Sequence, residues 1–227
     1  MSAALVLDIE TVPTEAAMAA PYPKADRSPP SNWKDEEKIA GWYVTDEAKW
    51  RSERARECAL NPRLGRIVCV GVIPCTGRPV VLPAFDADNE RETLANTWSA
   101  IEAADGQLIT FNGLSFDVPF FLCRSLVHGI KPTVSIRTVR DWTRRYFYGP
   151  HYDVRAVLTQ WDNRTTGTLH DWASCFGIEC SDKTSGADIY ALYRAGDFDA
   201  IAEHCRADVA TTAQLYEKVS AMYGGVS

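Results

Sequence analysis

Two carboxylates stand two residues apart in Leu5-Val-Leu-Asp-Ile-Glu-Thr11, a stretch otherwise built from apolar, β-prone residues. Leu5, Val6, Leu7 and Ile9 read as a buried strand. On a strand, the spacing points Asp8 and Glu10 to the same face. Two unpaired carboxylates on a central strand are expensive to bury, and each disfavours ionisation of the other. A divalent cation between them removes the conflict, and hard oxygen ligands suit Mg²⁺ or Mn²⁺. The bland alternative is a strand end whose carboxylates reach solvent.

Three further stretches carry chemistry. Asn112-Gly-Leu-Ser-Phe-Asp117 puts a carboxylate just past an expected strand, at the start of a helix. There Asp117 is either a ligand or a helix cap. His204-Cys-Arg-Ala-Asp208 has the spacing that places His204 and Asp208 on one helical face, and neighbouring Cys205, Val209 and Leu215 mark a helix that packs closely. The third stretch is basic and aromatic: Arg137, Arg140, Arg144, Arg145 and Arg155, with Trp142, Tyr146, Phe147 and Tyr148 between them. Arginine on phosphates with aromatic rings under bases is how single strands are held; the alternative is a surface helix with a buried aromatic side. Lys183, in an expected loop, is either a phosphate contact or a plain surface lysine. His151 and Asp153 read as a strand end and a helix cap.

The elements that must position these groups follow from pattern. After the first strand, the proline-rich stretch from Pro13 to Pro30 reads as a long loop or flap. Ser31 is an expected N-cap for helical sequence up to Leu60, strongest over 46–60, with Trp33, Trp42 and Trp50 anchoring this insert on the body. Strands are expected at 66–75 and 79–85, joined by a hairpin turn at Cys75–Arg78. A helix over 89–104, a strand over 107–111 and a helix over 116–128 come next. A short strand and a short helix fall within 133–155. The last third is helical, at about 153–161, 168–176, 187–195 and 198–222. A strand meander followed by alternating helix and strand is an α/β fold with a mixed sheet.

The 227 residues carry a net charge of −6, with 46% hydrophobic residues. That balance excludes a general nucleic-acid coat, and any cationic track must be local. The first strand begins almost at once and no apolar run has membrane-spanning length, so neither a secretory signal nor a membrane partner is expected. Seven cysteines, mostly among apolar neighbours, point to a reducing, cytoplasmic setting. Cys175 and Cys180 lack a second pair for structural zinc.

Asp8-Ile-Glu10, Asn112-Gly113 with Phe116-Asp117, and His204 with Asp208 resemble, in order and separation, the three motifs of the DEDD superfamily of 3′–5′ exonucleases. Leu64-Gly-Arg-Ile-Val-Cys69, His151-Tyr-Asp153 and the run from Ala195 to Val209 resemble stand-alone exonucleases related to the proofreading domain of family-B DNA polymerases. The resemblance implies a ribonuclease-H-like α/β fold, a mixed five- or six-stranded sheet flanked by helices. It implies a single exonuclease domain over 1–227 with an inserted loop and helical segment at about 14–60. Asp8, Glu10, Asp117 and Asp208 would hold two Mg²⁺ or Mn²⁺ ions about 4 Å apart, one lowering the pKa of the attacking water and the other stabilising the leaving 3′ oxygen. The expected substrate is a single-stranded nucleic-acid 3′ end, DNA favoured over RNA, with Thr11, Asn112, Phe116, Arg144, Arg145 and Lys183 as contacts and nucleoside 5′-monophosphates as products. One departure bears on mechanism. The polymerase-like branch has tyrosine four residues before its last aspartate, and the other branch histidine five residues before. Here His204 combines the first spacing with the second residue. It is the expected catalytic base or water-orienter; a non-catalytic module that binds nucleic-acid ends is the alternative from a different class.

Overall fold

A computed structural model describes residues 4–226 apart from Cys75, Thr76, Asn163, Ser181 and Lys183. In chain order the elements are β1 (Leu5–Pro13), α1 (Glu15–Met18), α2 (Glu36–Ala59), β2 (Gly65–Ile73), β3 (Val80–Pro83), α3 (Glu90–Ala103), β4 (Leu108–Thr110), α4 (Asp117–Val127), α5 (Ile136–Trp142), β5 (His151–Asp153), α6 (Val154–Leu158), α7 (Leu169–Cys175), α8 (Ile189–Ala195) and α9 (Phe198–Tyr223). The five strands form one mixed sheet in the order β3-β2-β1-β4-β5, antiparallel through β3, β2 and β1, and parallel from β1 to β4 to β5. The fold is therefore α/β with helices on both faces of a five-stranded sheet.

Alternation along β1 decides what each face carries. Leu5, Leu7 and Ile9 pack with Leu94, Trp98 and Ile101 of α3 and with Val118 and Phe121 of α4. Val6 packs on the other side with Val209, Leu215 and Val219 of α9. Asp8 and Glu10 share the parity of Val6, so both carboxylates lie on the α9 side. Gly71 lets that helix come close: a Cβ there would stand 2.9 Å from the Cys205 carbonyl oxygen, the Cys205 Sγ and a Val209 methyl. Any side chain on β2 at this point would push α9, and Asp208 with it, off the sheet.

Several expectations shift in detail. Asp35, not Ser31, caps α2, its carboxylate accepting from the Glu37 and Lys38 amides. Part of the proline-rich stretch folds as α1. The insert's tryptophans meet partners inside the insert: Trp50 packs on Tyr22, Trp42 on Tyr43, and Lys38 lies over Trp33. The insert is held to the body at the end of α2, where Cys58 is buried and the Thr11 hydroxyl donates to the Ala59 carbonyl. The expected hairpin turn includes Cys75 and Thr76, which lie outside the described residues. Among the described residues, no helix is long and apolar enough to cross a membrane.

Candidate active site

The centre of the site is the C-terminal half of β1. Its pairing with β2 shifts register between Glu10 and Thr11. The shift leaves Val68 of β2 without an opposite residue on β1, and alternation along β1 keeps Glu10 on the same side as Asp8. On the other edge, β4 ends at Thr110 and pairs with β1 only at Leu5 and Val6. The Ile9 amide beyond it donates instead to Asp117 Oδ1 at 3.1 Å. Asp117 thus finishes the strand's hydrogen bonding while starting α4, which is how a residue 108 positions away reaches the pair on β1.

The turn between β4 and α4 is fixed by Asp153. Its carboxylate accepts from the amides of Asn112 and Leu114 at 3.0 and 2.9 Å and caps α6 through Ala156. Asn112 adopts the left-handed region at φ 67°, a conformation asparagine tolerates better than most residues. His151 is held by Trp142 and Thr110: a carbonyl only accepts, so Nδ1 donates to the Trp142 oxygen and Nε2 accepts from the Thr110 hydroxyl. His151 and Asp153 are thus a strand end and a helix cap, as their sequence positions indicate.

α9 supplies the remaining groups. His204 Nε2 lies 3.5 Å from Glu10 Oε1 and 3.8 Å from Asp208 Oδ2. Its Nδ1 is 2.5 Å from Asp182 Oδ2. A carboxylate on Nδ1 fixes the imidazole orientation and leaves Nε2 facing the acidic pair. On the other side of Asp208, His170 Nε2 stands 3.6 Å from Oδ1. Asp208 Oδ1 itself is buried without a hydrogen bond.

Asp8, Glu10, Asp117, His204 and Asp208 line one open cleft of about 370 Å³ that also includes Asn112, Phe116, Arg155 and the start of α7, with Asp182 and His170 behind its wall of side chains as partners of His204 and Asp208. Burial raises the pKa of Asp8, and the neighbouring charges of Asp117, Glu10 and Asp208 add to it. Glu10 is raised in the same way, by burial and then by Cys69, Asp208 and Asp117. Burial pushes Asp117 up to about 7 against the amide hydrogen bonds that favour its anion. Burial also raises Asp208, opposed by the two histidines. Asp182 behaves oppositely: hydrogen bonds from His204 and the Thr184 amide outweigh its burial and hold it low.

Among the described residues, no Arg or Lys pairs with any of the four carboxylates, whose ion-pair neighbours are His204 and His170. Ligand atoms of Glu10, His204 and Asp208 lie within 4.8 Å of one another, as do those of Asp8, Glu10 and Cys205. An oxygen-rich donor set with unbalanced charge and a buried Asp208 oxygen that makes no hydrogen bond fits a hard divalent cation. Protons compete with such a cation, which gives a prediction. A carboxyl whose folded pKa is raised stabilises the fold below its unfolded pKa near 4 and loses that contribution as pH rises through the folded value. For Asp117 that window runs from about pH 4 to about 7. The metal-free protein is expected to melt at progressively lower temperature from pH 5 to pH 8. Saturating Mn²⁺ should raise Tm by about 5–10 °C at pH 8 and by less than half of that at pH 5.5. Differential scanning fluorimetry reads both; an equal Mn²⁺ shift at the two pH values would refute the competition.

Residues 62–227 match a family described as a predicted 3′–5′ exonuclease related to the exonuclease domain of PolB. The chain belongs to this family. The matched stretch contains Asp117 and Asp208, and β1 precedes it. An uncharacterized protein of Methanocaldococcus jannaschii is 30% identical over 168 residues, covering 70% of this chain and 88% of its own. A family B DNA polymerase from the hyperthermophilic archaeon Pyrobaculum calidifontis shares the fold, with a TM-score of 0.59 at 16% identity over 95% of this chain. The chain spans about a quarter (24%) of that polymerase's length.

Within this exonuclease-family fold, the expected site residues fall into three groups. Asp8, Glu10, Asp117, His204, Asp208, Asn112 and Phe116 line the cleft together. Thr11 does not: its hydroxyl is committed to Ala59. Arg144 and Arg145 lie outside the cleft. Arg144 sits over Phe147 and 3.9 Å from Asp141, and Arg145 borders an adjoining groove. Lys183 lies outside the described residues. Trp142, left open by the sequence between base stacking and the buried side of a surface helix, is a core residue that packs on Trp98 and donates to the Gly106 carbonyl. Sequence reasoning missed Asp182 and His170, because no motif or periodicity ties either one to α9.

Proposed function

We propose that this chain is a divalent-metal-dependent 3′–5′ exonuclease that removes nucleoside 5′-monophosphates from single-stranded DNA ends. One observation carries the reading: four carboxylates from β1, α4 and α9 converge on an open cleft with no Arg or Lys paired to them among the described residues. Asp8, Glu10, Asp117 and Asp208 would hold two ions, Mg²⁺ or Mn²⁺. When bound, these ions would lower the pKa of an attacking water and neutralise the charge that develops on the leaving 3′ oxygen. Asn112 and Phe116 shape the wall against which the terminal nucleotide lies. His204 Nε2, facing Glu10 and Asp208, orients the water and takes its proton; Asp182 holds the imidazole in place through Nδ1.

The reading is tested with 5′-labelled single-stranded DNA and RNA of identical sequence, incubated with Mn²⁺ or Mg²⁺ beside an EDTA control. A ladder shortening from the 3′ end, faster on DNA and absent in EDTA, is the expected result. Faster loss of the RNA would make the enzyme an exoribonuclease, and no shortening of either strand would leave only an end-binding module. Asp182→Ala removes the acceptor on Nδ1 and is expected to lower kcat by about 10–100-fold with little change in KM, the usual scale for loss of an orienting partner. Unchanged kcat would remove Asp182 from the mechanism.

A further inference from the structure

Asp208 is approached by a histidine at each of its oxygens. His204 Nε2 stands 3.8 Å from Oδ2, and His170 Nε2 stands 3.6 Å from Oδ1. His204 already has its partners: Asp182 holds its Nδ1, and its Nε2 also faces Glu10. His170 has no such role. It comes from α7 rather than α9, it does not line the cleft, and among the described residues its one polar neighbour is Asp208. Asp208 Oδ1 is buried and makes no hydrogen bond. A donor and an acceptor that each lack a partner thus stand just beyond bonding distance.

Core packing sets this juxtaposition. α7 is anchored at its start by a capping box, in which Thr168 accepts from the Asp171 amide and Asp171 accepts from the Thr168 amide. Leu169 and Ala173, one helical turn apart, are buried in the same cluster as Val209 and Leu215 of α9. Leu169 precedes His170 and Val209 follows Asp208, so the contact that docks α7 on α9 also brings the two polar residues face to face. The His170 side chain is 33% exposed, which leaves the ring room to turn. Closing 3.6 Å to an ordinary N–H···O distance of about 2.9 Å is within the reach of a side-chain rotation.

A buried carboxylate that gives one oxygen to a cation still needs a donor for the other. Oδ2 is the oxygen on the His204 side, and ligand atoms of Glu10, His204 and Asp208 cluster there. We infer that His170 is a positioning residue for Asp208: its Nε2–H donates to Oδ1 and fixes the plane of the carboxylate, so that Oδ2 is presented to the metal ion. An ionised carboxylate only accepts, so the tautomer that serves carries its proton on Nε2. The inference rests on the reading of Asp208 as a metal ligand and deepens it. His170 touches neither the ion nor the strand and acts through Asp208 alone.

The test measures Mn²⁺ binding directly, by isothermal titration calorimetry with manganese chloride and no nucleic acid, on the wild type, His170→Phe and His170→Gln. Phenylalanine keeps a flat ring and loses the donor. Glutamine returns an N–H near the place of Nε2. His170→Phe is expected to weaken Mn²⁺ binding by about 10–100-fold, the usual scale for losing the partner behind a metal ligand, and His170→Gln should recover most of it. The Mn²⁺ concentration that gives half-maximal cleavage of labelled single-stranded DNA should rise by the same factor, with KM for the DNA unchanged at saturating Mn²⁺. A melt in EDTA separates this effect from damage to the fold: metal-free His170→Phe should melt with the wild type. Unchanged Mn²⁺ affinity in His170→Phe would overturn the inference and leave Oδ1 to the ion itself. A loss that His170→Gln does not recover, or one matched by a lower metal-free Tm, would reduce His170 to a structural residue and overturn it as well. A wild type that binds no Mn²⁺ would sink the metal reading and this inference together. A wild type that binds Mn²⁺ but cleaves nothing would sink the exonuclease reading alone, and the calorimetry would still decide the role of His170.

Discussion

Asp8→Asn is expected to lower exonuclease turnover by at least about 10³-fold while raising the melting temperature of the metal-free protein at pH 8. Both effects have one cause. Asp8 opens onto the cleft and is surrounded by the charges of Asp117, Glu10 and Asp208, which together with burial disfavour its ionised form. The amide has the same shape and no charge. Without metal, substitution therefore removes a repulsion that grows as pH rises. With metal, it removes an anionic ligand from a cluster in which ion binding supplies several kcal/mol of transition-state stabilisation; about 4 kcal/mol corresponds to 10³ in rate. Kinetics on labelled DNA and a thermal melt in EDTA check the two halves. Retention of more than a tenth of the activity, or a fall in the metal-free Tm, would show that Asp8 is structural.

The second large effect lies far from the cleft. Glu90 on α3 is 1% exposed and ties together three elements. Its carboxylate accepts from the Ile67 amide of β2 at 2.9 Å and from Arg124 Nε and Nη2 of α4 at 2.8 and 2.5 Å. His128 Nε2 lies 2.8 Å away. Burial alone would raise the Glu90 pKa, but the bonds from Arg124, Ile67 and His128 win and hold it below the ordinary range. Glu90→Ala leaves Arg124 buried without an anion and the Ile67 amide without an acceptor. Breaking a buried pair in this way costs about 3–5 kcal/mol, or about 10 °C in Tm for a chain of this size. The double substitution Glu90→Met with Arg124→Met should recover much of that loss, because the cost comes from the stranded charge rather than from lost attraction. Chemical denaturation of the wild type, both single variants and the double variant measures it. Equal destabilisation by single and double variants would refute the argument.

Neither member of that pair stood out in the sequence, whereas the carboxylates of the cleft did. The difference is one of range. Asp8 and Glu10 declare a shared face because side chains on a strand alternate, and His204 and Asp208 because a helix repeats after about four residues. The apolar residues between them set each pair on an element of known geometry, so the α/β class, the order of elements and the two pairs could be read without coordinates, whereas Asp117 was joined to them by the resemblance to the exonuclease motifs. Glu90 and Arg124 each look like an ordinary helical charge until β2, α3 and α4 pack together.

The same limit separates the rest. Composition and periodicity determined the strands, the helices and which carboxylates share a face, because these depend on contacts a few residues apart. Tertiary structure alone decided that Asp117 takes the Ile9 amide where β4 runs out, that His204 comes to face Glu10 across the sheet, and that Asp182 holds Nδ1 of His204. It also decided between the two roles the sequence left open for Trp142, turning its ring into the core rather than toward a base. Each of these depends on where strands end or on contacts between elements distant in sequence. Those features are set by packing summed over the whole chain, and no short window of residues encodes them.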